Sequence, residues 1–246
     1  MNELLLCLGF FVVALLFACV GQAGAPGYVA VMSFAGFAPG AIKPVALALT
    51  VLVAVIGVVR FVQTGLLKTR DWAPFAVLGL PASVIGGLIT LPPDMFRIVM
   101  IAILLVASFQ LARSAGRTAA LDQAALSVPP LWPSIFAGGA IGLVAGATGI
   151  GGGLFIAMLM LGLGWAPTKQ VAAVAQASNL FTAAPAFAAL WFTHPALPVE
   201  LPWWALAAAL GGLLGAWFGA KHLPAKTLRQ LLAAILLASA VRLALG

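Results

Sequence analysis

The chain is 246 residues long, 64% apolar and 7% charged, with twelve Lys and Arg against five Asp and Glu. A soluble domain carries about 25% charged residues, and long charged side chains normally clothe a water-facing surface. A mean hydropathy of +1.18 therefore excludes soluble enzymes, nucleic-acid modules and disordered chains. The net charge of +7 becomes a topology signal, because Lys and Arg collect on the cytoplasmic flanks of membrane spans; no run of like charge offers a nucleic-acid footprint.

The first apolar element covers residues 4–21. It begins Met1-Asn2-Glu3, without the basic start of a signal peptide, and reads as a membrane helix; a leader cleaved near Ala23 or Ala25 is the alternative. Cys7 and Cys19 on this element would lie about 18 Å apart along a helix axis, too far to bridge. Further elements follow at 25–37, 42–64, 72–90 and 95–112, then at 133–149, 152–164, 168–191, 202–220 and 226–244. A span needs about 20 apolar residues, so 25–37 and 152–164 are too short. Both follow a glycine-rich break.

The two sets of five are copies. Gly21, Gly24, Met32, Gly36, Ala38 and Pro39 recur as Gly149, Gly152, Met160, Gly164, Ala166 and Pro167 at a constant offset of 128 residues. Trp72, Ala73, Gly79, Gly87, Leu91, Pro92 and Arg97 recur as Trp204, Ala205, Gly211, Gly219, Leu223, Pro224 and Arg229 at an offset of 132. The expected fold is all-α and polytopic, with two inverted repeats of about five helical elements, each with a glycine-broken short helix. The first repeat is 1–118, a cytoplasmic linker is 119–130 and the second repeat is 131–246. Inversion follows from charge: Arg60, Lys68 and Arg70 flank the third-to-fourth connection of the first half, whereas the matching connection, 193–201, has Glu200 and no cation. The next connection reverses the bias, with Lys221, Lys226 and Arg229 in the second half. Arg113 and Arg117 join the cytoplasmic group, and both termini are expected outside.

Short, Gly-interrupted apolar segments at matching places in two halves mark the binding site of a repeat-built transporter. A helix broken within a membrane is tolerated where its free backbone groups line a cavity or the protein interior, and its amino-terminal end attracts an anion. Gly149, Gly151, Gly152 and Gly153 are the strongest candidates, with Gly21 and Gly24 as their counterparts. Tight helix packing through small residues is the alternative. Polar residues in the apolar spans form the second group: Thr148, Gln176, Ser178, Asn179 and Thr182, with Gln22, Tyr28 and Thr50 as rough counterparts. Lys43 and Lys169, at the starts of the two long helices, either supply positive charge or snorkel to the interface. Arg97 and Arg229 read as interface anchors.

The five acidic residues, Glu3, Asp71, Asp94, Asp122 and Glu200, fall at expected ends or loops, so no span carries the central carboxylate of a cation path. His194 and His222 are isolated near span ends and make no metal site. No nucleophile–base or metal motif of an enzyme is present, and the sequence calls for no cofactor.

Gly146-x-x-Gly149-x-Gly151-Gly152-Gly153, then Gly164-Trp165-Ala166-Pro167 and Ala177-Ser178-Asn179-Leu180, resemble the signature of the TauE/SafE family across essentially the whole chain. The first copy departs from it, with Gly21-Gln22-Ala23-Gly24-Ala25 in place of a triple-glycine run. The resemblance implies a bacterial inner-membrane permease that exports sulfite or an organosulfonate such as sulfoacetate. A non-transporting subunit of a membrane complex is the alternative, and the small-residue faces would also suit a homodimer.

Overall fold

A computed structural model of the chain describes residues 3–114, 130–193, 197–218 and 225–245. The linker 119–129, Arg117, Asp122, His194, Lys221 and His222, and the side chains of Lys226 and Arg229, lie outside the described residues. Among the described residues there are ten α-helices and no strand. In chain order they are α1 Glu3–Cys19, α2 Ala25–Phe34, α3 Pro39–Gln63, α4 Thr69–Leu88 and α5 Pro93–Ser114. The second half contributes α6 Leu131–Thr148, α7 Gly153–Gly162, α8 Thr168–Thr193, α9 Leu201–Phe218 and α10 Ala225–Leu245.

Five of these, α3, α4, α5, α6 and α8, are long and apolar enough to cross a membrane. Leu4, Phe109, Trp132, Phe136, Trp203 and Trp217 are all more than half exposed, an outer surface suited to lipid. The chain is a multi-pass membrane protein. Prolines inside α3, α4 and α8 do not end those helices, because neighbouring helices and local adjustment can satisfy the freed backbone groups.

The halves interleave. α4 packs along α6, and α1 packs along α9, the same partnership with the halves exchanged. Both pairs are parallel and held close by glycine: Gly142 meets Gly79 and Gly146 meets Ser83 in one, while Gly211 meets the Phe11 carbonyl and Gly215 the Leu15 carbonyl in the other. α3 packs on α8, and α5 on α10. These corresponding helices run antiparallel. Gly57 faces Gln176 while Leu47 packs with Ala183 and Ala186, and Arg97 donates to the Leu243 carbonyl while Ser108 donates to the Ala233 carbonyl.

Burial follows this interleaving rather than the sequence halves. One apolar core joins α1, α2, α3, α5, α9 and α10 and takes in Ile150 and Leu154 at the start of α7. A second joins α4, α6, α7 and α8 around Phe75, Ile156, Met160 and Phe181. The first three helices of each half thus pack with the fourth helix of the other, and the α3–α8 contact is the seam between these groups.

Candidate functional site

Both glycine breaks sit against this seam. In the second, Gly149 caps α6 with φ 79° and donates its amide to the Ala145 carbonyl, and Gly151 follows with φ 77°. Only glycine takes such backbone freely. α7 then starts with buried amides that need acceptors. α8 supplies them: Gly152 N–H donates to Thr182 Oγ1 at 2.8 Å and Gly153 N–H to Asn179 Oδ1 at 2.8 Å. The Thr182 hydroxyl in turn donates a hydrogen bond to the Ser178 carbonyl. The expectation that these two amides face a ligand directly is therefore modified, because they are engaged by side chains. The glycines at 151 and 152 also make room: a Cβ on Gly151 would lie 2.7 Å from Asn179 Oδ1, and one on Gly152 2.6 Å from Ser178 Oγ.

The first break uses left-handed Gly21 (φ 76°) and Gly24 (φ 85°) but is capped differently. At the 128-residue offset Asn179 corresponds to Val51 and Thr182 to Ala54. Neither can accept an amide proton. Pro26 stands in the first turn of α2, where it removes one orphan donor. Tyr28 closes over Gly24 and packs edge-on to Phe10.

Ser178 corresponds to Thr50 at the same offset. Both side chains are fully buried, and Thr50 Oγ1 and Ser178 Oγ have no hydrogen-bond partner. Both lie at the second break, Ser178 against Gly152 and the Thr50 methyl 3.3 Å from a Cβ on Gly151. Unpaired buried groups are costly, and these two come from matching positions of antiparallel helices; the fully buried Tyr28 hydroxyl over Gly24 is a third without a partner, at the first break.

Lys43 lies beside the same break, its backbone against Gly149. Its ammonium, however, points to the end of α4 and donates to the carbonyls of Gly86 (3.2 Å), Gly87 (2.8 Å) and Ile89 (2.9 Å). This is a helix carboxy-terminal cap. Lys169 is exposed and does not join the buried cluster. Thr148 bonds back to the Val144 carbonyl. Gln176, whose Oε1 is unpartnered, packs on Gly57.

Gln22 lines a cavity of about 40 Å³ between α1, α5, α7 and α8, with Gln110 and Thr168. A separate cavity of about 1200 Å³ opens between α2, α5 and α10 beside Arg97 and Arg242, and three of its lining residues, Ser33, Arg242 and Leu243, correspond to Leu161, Gln110 and Leu111 of the smaller one. Gln110 itself corresponds to Arg242 at the 132-residue offset. Arg97 and Arg242 donate to the carbonyls of Leu243, Ala244 and Phe34, so these arginines tie helix ends together.

Sequence reasoning missed the capping roles of Lys43, Asn179 and Thr182. The one available signal was the i, i+1, i+4 spacing of Ser178, Asn179 and Thr182, which puts them on one helix face. It also missed that Asp71, in the first turn of α4, is 2% exposed, with one oxygen 3.6 Å from Arg70 and the other unpartnered. Among the described residues no group of three or more metal-ligating side chains occurs.

The family model described as "Sulfite exporter TauE/SafE" matches residues 5–243. A Sinorhizobium fredii protein named "Probable membrane transporter protein y4hK" is 43% identical over 238 residues, covering 97% of this chain and 96% of that protein. No solved structure matches the chain at a significant level.

Proposed function

This chain belongs to the TauE/SafE sulfite exporter family, and on that premise we propose that it is a secondary transporter, not an enzyme, exporting a small sulfur-containing anion, sulfite or an organosulfonate, across the inner membrane. The observation that carries the assignment of the site is the Thr50–Ser178 pair, two buried hydroxyls with unused donors beside the start of a half-helix. The positive end of α7 attracts an anion, and Asn179 and Thr182 hold that end rigid through its first amides. The antiparallel packing of α3 on α8 and of α5 on α10 supports an inverted repeat, with the site on its axis.

Alternating access then takes a particular form. Because the halves interleave, rocking one sequence half against the other would break the α4–α6 and α1–α9 contacts. The moving bodies are instead the two mixed cores, sliding at the α3–α8 seam. The unequal cavities, about 1200 Å³ beside Arg97 and about 40 Å³ beside Gln110, fit one end open and the other closed, and transport exchanges them. By the charge bias the open end faces outside.

The small-residue faces that suggested a partner subunit or homodimer are largely spent inside the chain, at Gly142 on Gly79 and Gly146 on Ser83. They give no reason to prefer those readings. The test is sulfite flux in proteoliposomes. The wild-type protein is expected to move sulfite, and Thr50→Val with Ser178→Ala to slow it at least tenfold. Wild-type flux in that double variant would overturn the site, and no flux with any sulfur anion would overturn the transporter.

A further inference from the structure

We infer that the anion's route between the cytoplasmic end and the Thr50–Ser178 pair runs along α8, past Thr168 and Gln176, and that Gln176 passes the anion on without belonging to the binding site. This rests on the anion-site reading above and concerns how that site is reached. Five buried polar atoms without hydrogen-bond partners lie along the route: Gln110 Oε1, Thr168 Oγ1, Gln176 Oε1, Thr50 Oγ1 and Ser178 Oγ. Buried polar groups normally find partners, so each unsatisfied one calls for water or a ligand. From Thr168 to Ser178 the axis of α8 rises about 15 Å, half of a hydrocarbon core about 30 Å thick.

Neighbouring positions connect these atoms. Thr168 and Gln110 line the cavity of about 40 Å³, together with Gln22 and Ala172, and that volume suits roughly two waters. Gln176 stands one turn beyond Ala172 on the same face of α8, is 2% exposed, and packs on Gly57 of α3, where a Cβ would fall on its Nε2. Thr50 lies two turns before Gly57 on the same face of α3, with its methyl at Gly151, next to the Gly152 that Ser178 touches. Arg60, Arg113 and Lys169 are exposed at the cavity end, which marks it as cytoplasmic. The other repeat has no such row: at the 128-residue offset Thr168 and Gln176 correspond to Gly40 and Ala48, and the large cavity opens beside the start of α3 instead, at Phe37 and Ile42. An amide offers N–H donors to an anion and an oxygen to its hydration water. Neutral groups of this kind replace hydration without holding the charge fast, as a route requires.

Gln176→Met keeps the length of the side chain and removes its polar end. In proteoliposomes it is expected to slow sulfite flux at least about tenfold. Its ligand-free melting temperature, and its binding of methanesulfonate by calorimetric titration of the purified full-length chain, are expected to stay at wild-type values. Thr168→Cys, in a chain that also carries Cys7→Ala and Cys19→Ala, tests the route independently and decides it if Gln176→Met melts early. In inverted membrane vesicles, whose cytoplasmic face is outward, a membrane-impermeant maleimide is expected to modify that cysteine. After excess reagent is removed, the modified protein is expected to lose sulfite flux while the unmodified one keeps it. Wild-type flux in Gln176→Met or in the modified protein, or no modification from the cytoplasmic face, overturns the route and leaves the anion site standing. Loss of methanesulfonate binding in a stably folded Gln176→Met assigns Gln176 to the site and overturns its separate role. No methanesulfonate binding by the wild-type chain, with full flux in Thr50→Val, overturns the anion site itself.

Discussion

The two glycine breaks solve one problem in two ways. Each ends a helix with a left-handed glycine, at Gly21 and Gly149, and each restarts a ten-residue helix with buried amides. The second half covers those amides with side chains from α8, Asn179 and Thr182. The first half has Val51 and Ala54 at the corresponding places and uses Pro26 to remove one donor. What differs between the copies is thus scaffolding. What they share, apart from the turn itself, is the hydroxyl of Thr50 and Ser178, which caps nothing. A polar group kept in both copies without a structural partner is the better marker of a ligand.

Substitutions that test this comparison differ in expected size. Gly151→Val forces a branched side chain into left-handed backbone and against Asn179; strain and the displaced cap together cost about 3 kcal/mol or more, read as loss of a cooperative melt in detergent. Lys43→Met removes three hydrogen bonds at the end of α4 and is expected to cost about 3 kcal/mol. A smaller penalty than that of Asn179→Leu would show that the carbonyls find other donors. Asn179→Leu leaves the Gly153 amide buried and unpaired, at about 2 kcal/mol. Its counterpart, Pro26→Ala, restores one amide in α2 and is expected to cost about 1 kcal/mol. Equal melting shifts for these two would erase the distinction between the breaks. Smallest in stability, and largest in flux, are Thr50→Val and Ser178→Ala: deleting an unpartnered hydroxyl changes stability by less than about 1 kcal/mol, while sulfite flux falls.

Much of the fold was legible because bilayer physics leaves few choices. Apolar runs, glycine breaks and the repeat offsets located all ten helices to within a few residues. The main boundary differences have local causes: α3 starts at Pro39 rather than 42, because proline suits a first helical position whose amide has no partner. The site was legible as a list of polar residues in apolar spans, but not as an arrangement. Lys43 and Lys169 look equivalent in sequence. In the structure one is buried as a helix cap and the other is exposed, a difference set by where the end of α4 falls. Asn179 and Ser178 are neighbours with different tasks, because one side chain reaches an amide of α7 and the other does not. Asp71 reads as a loop-end residue and is buried.

By itself the sequence determined that the chain lives in a membrane and that glycines interrupt its helices at two places, which a constant offset relates. Composition, span length and glycines, which alone take left-handed backbone freely, are local properties that need no knowledge of neighbours. Only the tertiary structure decided that the halves interleave, that α3 and α8 meet antiparallel, and which polar groups satisfy one another. Hydrogen bonds such as Gly152 to Thr182 join residues 30 positions apart, and their pairing depends on packing between helices. That pairing left the hydroxyls of Thr50 and Ser178 unpartnered at matching positions of the two halves, and it is this pair, rather than the polar residues as a set, that points to an anion.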